Sequence, residues 1–154
     1  CEIAAYTKAN SSSFFNELVN TYVEHDFYKE RLISITKKGI EGSQEIKTIM
    51  ESARNNPVGS INGSKVVTVE DFKLSISKNL STNTTEPISI PKADVLIYTT
   101  EDGSKVALRP SGTEPKIKFY ISVNTSLSSA TEFSQTENTL DAKIDAIIKD
   151  MKLI

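Results

Sequence analysis

The sequence predicts an α+β fold: a mostly antiparallel sheet with helices packed on one face, preceded by a short helical segment. Two observations carry this. Apolar residues three and four apart, in Ile46-Ile49-Met50-Ala53 and in Leu140-Ile144-Ile147-Ile148-Met151, mark two amphipathic helices. Between them, three strand-like stretches follow one another through short connections, the signature of an antiparallel meander. The order of strand, helix, strand, meander, helix then places the helices on one side of the sheet.

From Cys1 to Asn10 the chain reads as the end of a helix already under way, with no capping residue before it. There is neither an initiator Met nor a signal peptide, so the chain is expected to be cut from a longer one. Ser11 to Ser13 offer a cap for the next helix, whose Phe14, Phe15, Leu18, Val19 and Tyr22 share one face. His25-Asp26-Phe27-Tyr28 breaks the period, and Leu32 to Thr36 is predicted as a short strand. Ser43 is the expected cap of the Ile46 helix, which Asn55-Asn56-Pro57 stops, because the residue before a proline avoids helical angles. Asn62-Gly63 signals a turn into the strand Val66 to Val69, and the Ser/Thr/Asn-rich stretch from Lys73 to Pro91 reads as a surface loop.

The meander comprises Val95–Thr99, a turn at Asp102-Gly103, Lys105–Arg109 and Lys116–Val123. In the last strand Ile117, Phe119, Ile121 and Val123 share one face and Lys116, Lys118, Tyr120 and Ser122 the other. Val106 and Leu108 likewise oppose Lys105, Ala107 and Arg109, so one sheet face requires a core and the other is polar.

Composition excludes several classes. Hydrophobic residues make up 38% and charged residues 25%, as in folded globular proteins rather than disordered ones. No apolar run approaches the roughly 20 residues of a membrane span, and the formal net charge of -2 lacks the basic surplus of a nucleic-acid binder. The one cysteine, Cys1, leaves no internal disulfide to form, which fits a cytoplasmic protein. Asn-X-Ser/Thr triplets at Asn10, Asn62, Asn79, Asn83 and Asn124 are read as accidents of a Ser/Thr/Asn-rich chain. The lone His25 has no nucleophile or metal-ligand set in its sequence neighbourhood and is read as a surface residue.

The run with chemical content is Arg109-Pro110-Ser111-Gly112-Thr113-Glu114-Pro115. It joins two strands whose polar faces carry Arg109 and Lys118. Gly112 leaves its backbone open to close approach, successive amides in such a turn can cup an anion, Ser111 and Thr113 add hydroxyls, and the Arg109 guanidinium matches phosphate geometry. The same residues would also serve as an ordinary surface turn with a solvated arginine nearby, and residue types alone leave both readings open.

The stretch Val106 to Ile121 (Val-Ala-Leu-Arg-Pro-Ser-Gly-Thr-Glu-Pro-Lys-Ile-Lys-Phe-Tyr-Ile) resembles the phosphate-binding loop of the fourth, C-terminal domain of the α-D-phosphohexomutases, in their bacterial phosphoglucomutase/phosphomannomutase branch. Tyr28-Lys29-Glu30, Ile33-Ser34-Ile35, Arg54, Pro57, Asp94-Val95-Leu96 and Thr100-Glu101-Asp102-Gly103 extend the likeness over nearly the whole chain. The resemblance implies the C-terminal-domain fold of that family, similar to the TATA-box-binding protein, over residues 28–154, with 1–27 as the helical tail of a third domain. It implies that Arg109, Ser111, Gly112 and Thr113 hold a hexose phosphate through its phosphate group, with Lys118 as a further basic contact and Glu114 shaping the loop. Implied for the full enzyme are interconversion of hexose 1- and 6-phosphates, a magnesium ion held elsewhere, and upstream domains as partners. The family's phosphoserine string Thr-Ala-Ser-His-Asn-Pro, magnesium string Asp-Gly-Asp-Gly-Asp and sugar string Gly-Glu-Glu-Ser-Gly do not occur here. The chain is therefore expected to hold no cofactor and to be inactive alone. A phosphomannomutase, a phosphopentomutase and a stand-alone anion-binding module are the alternatives.

Overall fold

A strand whose apolar and polar residues alternate can rest only one face on a core. The computed structural model describes residues 2–153. In it Lys116–Thr125 (β8) lies within a sheet, and its Ile117, Phe119, Ile121 and Val123 are each at most 4% exposed. The elements before it are α1 (Glu2–Ala9), α2 (Phe14–His25), β1 (Phe27–Thr36), α3 (Gly39–Asn55), β2 (Ser60–Ile61), β3 (Ser64–Asp71), β4 (Ile76–Asn79), β5 (Thr84–Pro87), β6 (Leu96–Thr100) and β7 (Lys105–Pro110). A 3-10 turn, Ala130–Glu132, then leads into α4 (Phe133–Asp150).

Seven strands lie side by side in the order β1-β8-β7-β6-β3-β4-β5, with β2 paired to β3, and every pairing among the described residues is antiparallel. Ile46 and Met50 of α3 and Leu140, Ile144, Ile147 and Ile148 of α4 share one core with Leu96, Tyr98, Val106, Leu108 and the apolar row of β8. Both long helices therefore cover the same sheet face, as the sequence predicts. The Tyr98 hydroxyl donates to the Ala53 carbonyl at 2.7 Å, joining sheet to helix, and burial raises its pKa to about 12.

Three expectations need correction. The strand expected at Leu32–Thr36 begins at Phe27, because all ten residues of β1 pair in unbroken register with β8. Its inward Lys29 and Arg31 interrupt the apolar alternation, yet both are satisfied by α4. Lys29 reaches Glu137 at 3.0 Å and Asp141 at 2.7 Å, while Arg31 reaches Asp141 at 2.9 Å and also pairs with Asp145. Helix α3 starts at Gly39 rather than at a Ser43 cap, and Ser43 instead bonds back to the Gly39 carbonyl one turn earlier. The expected loop from Lys73 to Pro91 contains the β4–β5 hairpin. Its strands carry little apolar residue because they lie at the sheet margin, and Asn79 Oδ1 organises the turn by accepting from the Ser81 and Thr82 amides.

The N-terminal helices are half engaged. Val19 of α2 is buried, and Tyr22 stacks on Phe27, which stacks in turn on Phe133, at centroid distances of 4.4 and 5.0 Å. Phe14 and Leu18 remain exposed. Cys1 and Ile154, the outer limits of the two segments expected from sequence, lie outside the described residues. No helix among the described residues is long and apolar enough to cross a membrane.

The β6–β7 turn is held by Asp102. Its carboxylate accepts from the Thr100 hydroxyl at 2.6 Å and the Ser104 amide at 3.2 Å, and it pairs with Lys143 of α4 at 2.9 Å. Burial alone would push this carboxyl up, but these bonds hold it well below the usual carboxylate range. Asp141 is also held low, first by its bond from Lys29 and then by Arg31. Carboxylates with depressed folded-state pKa values stabilise the fold above their unfolded values, roughly 4, and that stabilisation is lost as pH falls through the folded values. Thermal melts from pH 6 downward should therefore show the wild type losing stability below about pH 4, and Asp102→Asn should melt lower at pH 6 with the gap narrowing as acid is added. At the same turn, Gly103 has φ +80°, and an added Cβ would stand 2.8 Å from Asn124 Oδ1. Gly103→Ala should cost on the order of 1–3 kcal/mol in denaturant unfolding.

Candidate functional site

In an antiparallel pair, residues directly opposite one another share a face. The β7–β8 register sets Arg109 opposite Lys118, and the β1–β8 register sets Ser34 opposite Lys118. All three stand on the face away from the helices, in one row across three strands. Arg109 is exposed and Lys118 half-buried. Neither enters an ion pair among the described residues. Two like charges directly opposite each other are unfavourable by a few tenths of a kcal/mol up to about 1. An anion between them removes that repulsion.

The loop from Ser111 to Pro115 begins where this pair ends. The Ser111 amide donates to the Lys116 carbonyl at 2.8 Å, closing the strands on each other. Ser111 Oγ accepts from the Thr113 and Glu114 amides at 3.4 and 3.3 Å, which folds the loop over its own hydroxyl and leaves the hydroxyl proton free to donate outward. The Thr113 amide, expected to point at a ligand, is thus directed at Ser111. Glu114 turns back to Lys116 at 3.4 Å, which suits its expected part in shaping the loop. Pro115 is fixed from outside, its carbonyl accepting from the Lys37 amide at 2.8 Å. Gly112 needs no left-handed backbone, and a Cβ added there would meet nothing within 4 Å. Its lack of a side chain therefore serves neither the local fold nor the packing.

The loop has a second side. On the helix face, Ser111, Gly112 and Thr113 form one wall of a cleft of about 420 Å³, and Ser43, Lys47 and Arg54 of α3 line the other. Arg54 is committed there, to Asp71 at 3.0 Å and to Asp94. The five predicted residues are therefore divided: Arg109 and Lys118 flank the loop on the open face, while Ser111, Gly112 and Thr113 form its tip and border the cleft. Sequence reasoning missed Ser34 and Lys47. The spacing of 43, 47, 51 and 54 on one helix face was a usable signal for Lys47, whereas Ser34 could be found only through strand register. His25 ends α2, exposed, with Glu24 at 3.8 Å. No group of three or more His, Cys, Asp or Glu able to hold a metal occurs among the described residues.

The family model described as phosphoglucomutase/phosphomannomutase, C-terminal domain, matches residues 45–138, a span that includes the whole loop and both cations. Phosphoglucomutase of Staphylococcus aureus (strain MSSA476) is 38% identical over 120 residues, covering 78% of this chain and 22% of that protein. Phosphoglucomutase of Staphylococcus haemolyticus is 38% identical over 117 residues, with 76% and 21% covered, and that of Staphylococcus saprophyticus is 36% identical over 114 residues, with 74% and 20% covered. The chain spans about a fifth of the length of these curated relatives.

Gly112→Ala separates fold from site. Its unfolding free energy should stay within about 0.5 kcal/mol of wild type, while affinity for inorganic phosphate, followed by NMR titration, should fall several-fold because the new methyl group occupies the approach to the backbone.

Proposed function

Because the chain belongs to the phosphoglucomutase/phosphomannomutase family, as that family's C-terminal domain, we propose that the Ser111–Thr113 turn, Arg109 and Lys118 together hold the phosphate group of a hexose phosphate. The enzyme would interconvert hexose 1-phosphate and hexose 6-phosphate. The observation that carries the reading is the Arg109–Lys118 pair, set opposite each other beside the loop without a carboxylate from the described residues. The names of the relatives favour phosphoglucomutase over a phosphomannomutase or phosphopentomutase. We read residues 28–154 as the domain itself and 1–27 as the tail of a preceding one, whose exposed Phe14 and Leu18 suit contact with further protein. The absence of an internal disulfide suits a cytoplasmic setting.

In this role the domain binds and orients. A phosphate dianion beside Arg109 and Lys118 would accept charge-assisted bonds from them, and the Ser111 and Thr113 hydroxyls and the Gly112 amide, at the tip of the adjoining loop, would supply further donors. Gripping the phosphate that is not transferred positions the other end of the sugar, so that binding energy spent here lowers the barrier elsewhere. In this reading these donors only grip the phosphate, and none of them has a base beside it among the described residues to activate it as a nucleophile. The chain alone should therefore bind phosphate without converting glucose 1-phosphate.

Arg109→Ala should weaken phosphate binding by about 1.5–3 kcal/mol, read by calorimetry or NMR titration, with an unchanged melting midpoint because the side chain is exposed. Arg109→Lys should recover only part of the loss, since an ammonium cannot reproduce the planar fork. A variant that binds phosphate as tightly as wild type but melts at a clearly lower temperature would make Arg109 structural and end the proposal. A coupled assay that detects turnover of glucose 1-phosphate by the purified chain would refute the inactive reading.

A further inference from the structure

A turn distant in sequence from the phosphate loop carries chemistry of its own. Asn62-Gly63 alone joins β2 to β3, and both residues have left-handed backbone, at φ 49° and 75°. A two-residue hairpin turn requires that arrangement, and Asn-Gly supplies it. Asn62 is the one asparagine in the sequence followed by glycine. Both turn residues are exposed, and a Cβ placed on Gly63 would meet nothing within 4 Å. Neither the Asn62 carboxamide nor the Gly63 backbone amide enters a hydrogen bond among the described residues. Other asparagines are placed differently. The Asn10 carboxamide donates to the Tyr6 carbonyl, Asn79 Oδ1 accepts from two amides of its own turn, and the exposed Asn83 precedes the β-branched Thr84. What holds Asn62 is its backbone amide, which donates to the Asp150 carboxylate at 2.7 Å. Asp150 is the last residue of α4, where the helix end carries partial negative charge and a carboxylate is unfavourable unless a donor offsets it.

We propose that Asn62-Gly63 is a site of spontaneous deamidation, restrained by the bond from its backbone to Asp150. The Gly63 nitrogen attacks the carbonyl carbon of the Asn62 side chain, and the new bond closes a succinimide ring. The bond from that carbon to Nδ2 breaks, and ammonia leaves with the proton that Gly63 gives up. Water then adds to one of the two ring carbonyls. Opening at the side-chain carbonyl gives aspartate, and opening at the main-chain carbonyl gives isoaspartate. Water is consumed and ammonia released, with no change of oxidation state. Glycine favours the first step because no side chain shields its nitrogen. Ring closure requires that nitrogen to swing toward the side chain, so the turn must open first. Only the Ser60–Lys65 and Ile61–Ser64 pairs close the hairpin, and short, exposed pairings of this kind open locally without global unfolding. The Asp150 bond opposes that opening. The product sets a new carboxylate near Asp150 at the negative end of α4, and the isoaspartyl form also lengthens the main chain within the turn. Both changes loosen the hairpin from α4, in one direction only. The inference does not depend on the phosphate reading.

The test incubates the folded chain at physiological pH and temperature and follows each asparagine-containing peptide by mass spectrometry, with isoaspartate read by enzymatic methylation. Asn62 should acquire the mass of the acid several-fold faster than the equally exposed Asn83, and isoaspartate should appear at position 62. Asp150→Ala should raise the rate at Asn62 several-fold and leave the rate at Asn83 unchanged, which separates release of this turn from unfolding of the whole chain. Asn62→Asp, which installs the product's charge without the lengthened main chain, should speed hydrogen exchange at the Ser64 amide. The proposal is overturned if Asn62 keeps its carboxamide as long as Asn83 does. It is overturned equally if Asp150→Ala leaves the Asn62 rate unchanged or raises both rates alike. Unchanged exchange at Ser64 in Asn62→Asp would count against the loosening of the hairpin.

Discussion

The register of β7 against β8 is the constraint on which both the core and the site depend. It places Leu108 against Phe119 and Val106 against Ile121 on the helix side, and by the same alternation Arg109 against Lys118 on the other. A slip of one residue would turn the apolar row to solvent and the cations into the core. The burial of those four apolar residues, each worth about 1.5–3 kcal/mol when fully withdrawn from water, therefore fixes the cation pair as firmly as it fixes the core. The Ser111–Pro115 link inherits its position from the same register, through the bond between the Ser111 amide and the Lys116 carbonyl. The tie from Lys37 to Pro115 adds a second anchor at the junction of β1 and α3. A short loop with both ends fastened presents its hydroxyls and amides with little entropy left to lose on binding.

The treatment of charge elsewhere in the molecule gives the site its meaning. Lys29, Arg31, Lys37, Arg54 and Lys143 each meet a carboxylate. Acidic residues outnumber basic ones by 20 to 18, so the chain does not lack partners for its cations. Many exposed lysines also stand without an ion pair among the described residues, so what distinguishes Arg109 and Lys118 is that the strand register sets two cations directly opposite each other. Arg54 shows the contrast within the same region: its side chain is 10% exposed, and it is saturated by Asp71 and Asp94. Its role is to hold α3 to the sheet.

Much of this was legible in the sequence. The amphipathic stripes of α3 and α4 and the alternation in β7 and β8 could be read directly, and with them the common face of Arg109 and Lys118. Strand β1 was read short because Lys29 and Arg31 occupy inward positions that only an acidic helix in the right place makes tolerable. The β4–β5 hairpin was missed because an edge hairpin of Ser, Thr, Asn and Lys carries no apolar period. The site was legible in composition and partly hidden in geometry. Direct opposition of the two cations, the third position at Ser34 and the two-sided loop are facts of register, and register is written in pairings between segments far apart in the chain. Ser111 shows the finer limit, since no sequence signal says that a hydroxyl will spend its acceptor capacity on its own loop's amides.

The edge formed by β1 has one more consequence. Ten consecutive residues pair with β8 on one side and have no strand on the other among the described residues, which is a template for recruiting a strand from a second molecule. The inward Lys29 and Arg31, locked to α4, act against this. A strand laid alongside β1 at Lys29 and Arg31 would have to place its own inward residues beside charges already neutralised and crowded by Glu137, Asp141 and Asp145. The ion-pair ladder that docks α4 therefore also places guarding charge on the Lys29–Arg31 stretch of the open edge.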